Sequence, residues 1–125
     1  MTEKMKIIDF LRENQLDAIF VQKDENCRYL SKFTGSDSYL LLTKEELYLL
    51  TDSRYTEQAR KESADYTVVD YKGHLAEIVA KLAGEYHIKT MGVETVFSYQ
   101  MYLSFHEYMP NIEFRFSQID RLRQI

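Results

Sequence analysis

The residues that could do chemistry in this sequence are one thiol, three imidazoles and a set of carboxylates. Cys27 opens a short aromatic-rich stretch, and His74, His87 and His106 follow far downstream. A cysteine nucleophile needs a neighbouring base or cation to hold it as the thiolate. No histidine stands in a motif with Cys27, so the expected role is a structural thiol, buried or half-buried. With a single cysteine no internal disulfide can form, and no Cys/His cluster has the spacing of a zinc site.

The carboxylates Asp17, Asp24, Asp52, Asp70 and Glu94 each fall near the end of an apolar run, where α/β proteins build their sites. Gathered together, such groups would suit the two magnesium ions of an RNase H-like nuclease. The plainer reading makes Asp24 and Asp52 helix caps and the others solvated turn residues. A nuclease also needs basic surface for phosphates. Here 16 Lys and Arg face 20 Asp and Glu, a net charge of −4 with no basic stripe. Nucleic acid is therefore not an expected partner, and the metal-dependent nuclease stands as a minor alternative. The 4 glycines are isolated, so there is no phosphate-binding loop either.

These side chains must be positioned by a core, and the composition supplies one. The 125 residues are 45% hydrophobic and 14% aromatic, enough for a single domain. Residues 4–14 read as an amphipathic helix, with Ile7, Ile8 and Leu11 on one side. Ala18 to Val21 is a buried strand, and Asp24 is expected to cap a helix ending before the Thr34–Asp37 turn. Two apolar runs, 39–43 and 47–51, flank Lys44-Glu45-Glu46 as a hairpin. Asp52-Ser53 caps a helix over 54–62, and Thr67 to Val69 is a β-branched strand.

Residues 75–86 carry the clearest 3.6-residue stripe, through Leu75, Ile78, Val79, Leu82 and Tyr86. A strand over 90–95 precedes a helix capped by Ser98 and stopped by Pro110. Residues 112–116 alternate strictly, which fits a strand at a sheet edge. Ser117 and Asp120 resemble a capping box for a last helix over 118–124. Six strands interleaved with about six helices predict a three-layer α/β sandwich, its six-stranded mixed sheet covered by helices on both faces. The amino terminus has no apolar signal core, and runs such as Leu40–Leu42 are far too short to cross a bilayer. A cytoplasmic location with no membrane partner is the expectation.

Several motifs recur in order along the chain. Leu16-Asp17-Ala18-Ile19 follows the first helix. Asn26, Tyr29, Leu30, Phe33, Gly35 and Ser36 then form an Asn-x-x-Tyr-Leu and Phe-x-Gly-Ser pair. Asp52, Arg54 and Tyr55 follow the hairpin, and Gly92-Val93-Glu94 ends a later strand. Together they resemble the N-terminal domain of the creatinase, Xaa-Pro dipeptidase (prolidase) and aminopeptidase P family over nearly the whole chain. One departure is Lys32, where the family usually has glycine before Phe33. A glycine there serves a backbone conformation that lysine tolerates less well.

The resemblance implies the N-terminal creatinase/prolidase fold, with its RNase H-like motif, as the single domain of residues 1–125. It implies that catalysis belongs to a C-terminal pita-bread domain absent from this chain, reached through a junction that Arg121-Leu122-Arg123 resembles. That domain binds two divalent metal ions, often manganese, and hydrolyses the amide bond before proline. The expected partners are thus the chain's own catalytic domain, a second subunit and, in the parent, a proline-containing peptide.

This domain would be non-catalytic, supplying subunit contacts and a cover for the active site. Arg54 and Tyr55 are candidates for substrate or interface contact, with Phe33, Tyr29 and Asn26 beside them; Asp52, Gly35, Ser36 and Glu94 are structural motif residues. An arginine fork can grip a substrate carboxylate, and aromatic faces suit a proline ring. Arg54 could equally pair with Asp52, and the spacing of Tyr29, Leu30 and Phe33 favours the core. With 10 tyrosines in the chain, some are expected at an interface. The alternative from another class is a stand-alone interaction or dimerisation module.

Overall fold

Ala-Ile-Phe-Val at 18–21 is buried at every position, as a strand covered on both faces must be. Alternate residues divide between two cores. Ile19 and Val21 join one cluster, with Leu40, Leu42 and Leu49; Ala18 and Phe20 join the other, with Leu41, Tyr48 and Leu50. The computed structural model describes residues 2–124.

The elements run α1 (Glu3–Glu13), β1 (Ala18–Val21), α2 (Asp24–Ser31), β2 (Tyr39–Thr43), β3 (Leu47–Thr51) and α3 (Thr56–Glu62). They continue with β4 (Thr67–Asp70), α4 (Leu75–Glu85), β5 (Thr90–Val93), α5 (Tyr99–Tyr108), β6 (Glu113–Phe116) and a closing 3-10 helix, Ile119–Gln124. The sheet order is β4-β3-β2-β1-β5-β6. β2 is antiparallel to both β1 and β3, and the other neighbours are parallel. Helices α1, α2 and α3 with the closing 3-10 helix cover one face, and α4 and α5 the other. This is the three-layer α/β sandwich with a six-stranded mixed sheet.

The hairpin turn is held by Thr43, whose Oγ1 accepts the Glu46 N–H at 2.8 Å. Thr2 caps α1 and Ser98 caps α5 through their hydroxyl oxygens. β6 lies at the sheet edge. Its Phe114 packs into the second core, while Phe116 is 72% exposed.

Three local expectations are corrected. Asp24 does not cap α2: Lys23 is the cap residue, with no side-chain capping bond, and Asp24 is the first helical residue. The polypeptide entering α2 is held instead by a carboxylate from far along the chain, described below. Asp52 does cap, but it caps the 3-10 turn Ser53–Tyr55 that precedes α3. Ser117 and Asp120 form no capping box. Ser117 Oγ donates to the Arg115 carbonyl at 3.2 Å, and the Asp120 carboxylate is engaged with α2.

Candidate functional site

Because β2 alone runs against the rest, five strands bring their carboxyl ends to one end of the sheet, beside the start of β2. That end gathers the entry to α2, the loop from Phe33 to Ser38, the turn at Asp52–Tyr55, Glu94 and the closing 3-10 helix. The candidates from the sequence are thus placed along one edge of the molecule, in two separate groups.

The first group lies over β2 and β3. Phe33 is buried and meets the half-buried Tyr55 ring edge to face, with centroids 6.5 Å apart. Gly35 passes directly beneath Phe33: a Cβ there would stand 2.4 Å from Phe33 Cζ. Ser36 is exposed in the same loop. The loop is anchored from α3, where Glu62 accepts the Thr34 N–H at 2.8 Å. Asp52 Oδ1 accepts both the backbone N–H of Arg54, at 2.9 Å, and its Nε, at 3.0 Å. These bonds, backbone first, hold the Asp52 carboxyl below the usual aspartate range.

The Arg54 guanidinium also lies 5.2 Å from the Tyr55 ring centre, with 67% of its side chain exposed. Pairing with Asp52 and availability to a ligand therefore coexist. Only Nε is held by Asp52, and the outer edge of the fork faces solvent.

Tyr29 is half-buried against the first core, and Lys32 Nζ sits 4.7 Å over its ring while donating to the Tyr29 carbonyl at 2.8 Å. Lys32 itself ends α2 at φ 68° and ψ 6°. This is the left-handed conformation that glycine adopts without penalty.

The second group lies over β1 and β5. Glu94, only 4% exposed, accepts the N–H of Gln22 at 2.6 Å and of Lys23 at 2.9 Å on Oε1. Its Oε2 accepts Asn26 Nδ2 at 2.6 Å, and the same Nδ2 donates to Asp120 Oδ1 at 2.7 Å. Lys23 Nζ lies 3.1 Å from Asp120 Oδ2. The Asn26 bond, then Lys23, keeps the Asp120 carboxyl below the ordinary 3.8. A cleft of about 590 Å³ opens beside this group, between Lys23, Glu94, Phe116, Asp120 and Arg121. Asn26, grouped above with Arg54 and Tyr55, is wholly buried and committed to two carboxylates. Its contacts are internal to the chain. Lys23 was not singled out by the sequence, and Asp120 only as half of a capping box, since nothing local marks bonds spanning 94 and 97 positions.

The other chemically capable groups are separate. Cys27 is buried, and desolvation, with Glu94 and Asp24 adding to it, pushes its thiol far above the usual range. It is a neutral side chain of the core. His74, His87 and His106 are all exposed. Asp17 sits at the opposite end of the sheet, accepting the Lys89 N–H at 2.9 Å. Among the described residues no group of three or more His, Cys, Asp or Glu stands where it could hold a metal ion. These residues do not fit the pair of divalent ions, which the resemblance assigns to the C-terminal domain. No helix among them is long and apolar enough to cross a membrane.

The fold and this edge define an α/β domain with an exposed arginine–aromatic rim. The chain belongs to the Creatinase/Prolidase N-terminal domain family, whose profile matches residues 5–125. It is 28% identical over 117 residues to the uncharacterized peptidase YqhT of Bacillus subtilis, covering 88% of this chain and 32% of that protein. It is 33% identical over 101 residues to the Xaa-Pro dipeptidase of Pyrococcus horikoshii, covering 79% of this chain and 27% of that one.

Among solved structures, the N-terminal domain of the cytoplasmic peptidase PepQ from Mycobacterium tuberculosis superposes with a TM-score of 0.86. That pair is 26% identical, covering 97% of this chain and 98% of that one. The chain thus spans about a third or less of the length of the curated relatives it matches.

Proposed function

We propose that this chain is the non-catalytic N-terminal domain of an Xaa-Pro dipeptidase or aminopeptidase P, whose metal-dependent hydrolysis of X-Pro bonds belongs to a C-terminal catalytic domain. The observation that carries the reading is the family match along residues 5–125, together with relatives about three times as long that are named as peptidases. The two divalent ions, often manganese, belong in this reading to the catalytic domain. The parent is a cytoplasmic enzyme, as the M. tuberculosis relative is described to be.

The domain's own part is to cover the active site and to contribute contacts to a second subunit. The Arg54 fork over Tyr55 suits the first task, because its outer edge can take a peptide carboxylate while Asp52 fixes its stem. The half-buried Tyr55 ring beside it suits a proline ring.

The test is the reading frame that encodes the chain. Continuation into a metallopeptidase domain supports this reading. A stop codon directly after Ile125 favours the competing one, a self-standing interaction or dimerisation module.

A further inference from the structure

At the end of the sheet that carries the candidate site, β1 and β5 are parallel neighbours whose chains depart to opposite faces. β1 leads into α2 over the first core, and β5 leads into α5 over the second. A crevice between strands with such diverging connections is where α/β proteins take a ligand, often one with an anionic group. In this molecule the crevice is filled from within. Glu94 is the first residue past β5, and its carboxylate lies on the consecutive N–H groups of Gln22 and Lys23 at 2.6 and 2.9 Å.

A second, independent feature points to the same carboxylate. Asn26 is 0% exposed, and its Nδ2 bridges Glu94 and Asp120. Its Oδ1 is buried with no hydrogen-bond partner. An amide held with its oxygen unsatisfied is oriented by what its NH2 group binds, here two carboxylates. Asp120 belongs to the closing 3-10 helix, whose Ile119 and Leu122 are buried in the first core.

We propose that the Glu94 carboxylate is a built-in anion of the β1/β5 crevice: it takes the place of a soluble ligand on the Gln22 and Lys23 amides and, through Asn26, positions Asp120 and the closing helix. Glu94 is thereby a positioning residue. It ties the end of the sheet that bears the candidate site to the closing 3-10 helix.

The test uses the chain as it stands. Glu94→Ala should melt below the wild type, and formate, small enough to re-enter the vacated place, should raise the variant's Tm by about 3–6 °C. Chloride at equal ionic strength should not, and the wild type should respond to neither. In amide NMR spectra the Gln22 and Lys23 protons should lie downfield in the wild type, move upfield in Glu94→Ala and return with formate. If Glu94→Ala is unfolded in chloride, folding on addition of formate supports the proposal. In that case Glu94→Gln, which keeps the bulk of the side chain, supplies the amide readout. A formate effect equal in variant and wild type overturns the proposal. So do Gln22 and Lys23 amides that the substitutions leave unmoved.

Discussion

Phe33 lies on Gly35 so closely that the glycine hydrogen is the largest group the contact admits. A Cβ at position 35 would stand 2.4 Å from Phe33 Cζ and 2.8 Å from Cε2. The Phe33 ring is fully buried, so it cannot swing into solvent to make room. It also braces Tyr55, edge to face. The backbone of one loop therefore sets the position of the aromatic rim beside Arg54.

Gly35→Ala should accordingly destabilise the domain by about 1–3 kcal/mol, the usual range for forcing extra volume into a filled site. Urea denaturation measures it. Unchanged stability would mean that the loop yields freely.

Lys32→Gly should act in the opposite direction. Lysine at φ 68° carries left-handed strain of roughly 1–2 kcal/mol. Glycine returns about 0.5–1 of this through the greater freedom of its unfolded chain. The exposed contact of Lys32 with the Tyr29 ring offsets about another 0.5. A small net gain, about 0.3 kcal/mol from the middle of these ranges, is expected in the same denaturation experiment, and a loss would show that the lysine contacts outweigh the strain.

Asn26→Asp should be among the most damaging conservative changes in the chain. It places a third carboxylate against Glu94 and Asp120 and removes the NH2 group that bridges them. Loss of about 2 kcal/mol or more is expected at neutral pH. The deficit should shrink on acidification, as one carboxyl of the three takes up a proton. A deficit independent of pH would contradict the charge argument.

Asp120 makes the wild type acid-sensitive. Its folded carboxyl ionises below the ordinary 3.8 because Asn26 and Lys23 favour the charged form. A depressed folded pKa stabilises the fold above the unfolded value, and that stability is lost as pH falls through the folded one. Wild-type stability should therefore decline below about pH 4, with Asp52, Glu62 and Glu113 contributing in the same sense. Asp120→Asn should be less stable at neutral pH and should decline less steeply in acid. Parallel curves for the two proteins would exclude Asp120 as a source of the acid loss.

The architecture was legible in the sequence because its signals are periodic and local. The continuous apolar runs at 39–43 and 47–51 mark strands of a covered sheet, and the stripe through Val79 and Leu82 marks the buried side of α4. The Lys32 backbone was legible too, through the place that glycine usually holds. What local pattern could not give is a partner remote in sequence. Asp24 has every property of a cap, yet the turn before α2 is tied down by Glu94. Asp120 reads as half of a capping box until α2 brings Asn26 within 2.7 Å. The exposed Arg54 was found by its motif, and its bond to Asp52 by the short spacing between them.

In the proposed function these residues serve an X-Pro peptidase without being its catalyst. The most direct measurement compares Ala-Pro and Gly-Pro hydrolysis, with added manganese, by residues 1–125 alone and by the product of the whole reading frame. Turnover by the longer product and none by residues 1–125 is the expected result. An Arg54→Ala change in the longer product should raise KM more than it lowers kcat. Robust hydrolysis by residues 1–125, or a whole product that contains a metallopeptidase domain and cleaves no X-Pro bond, would contradict it.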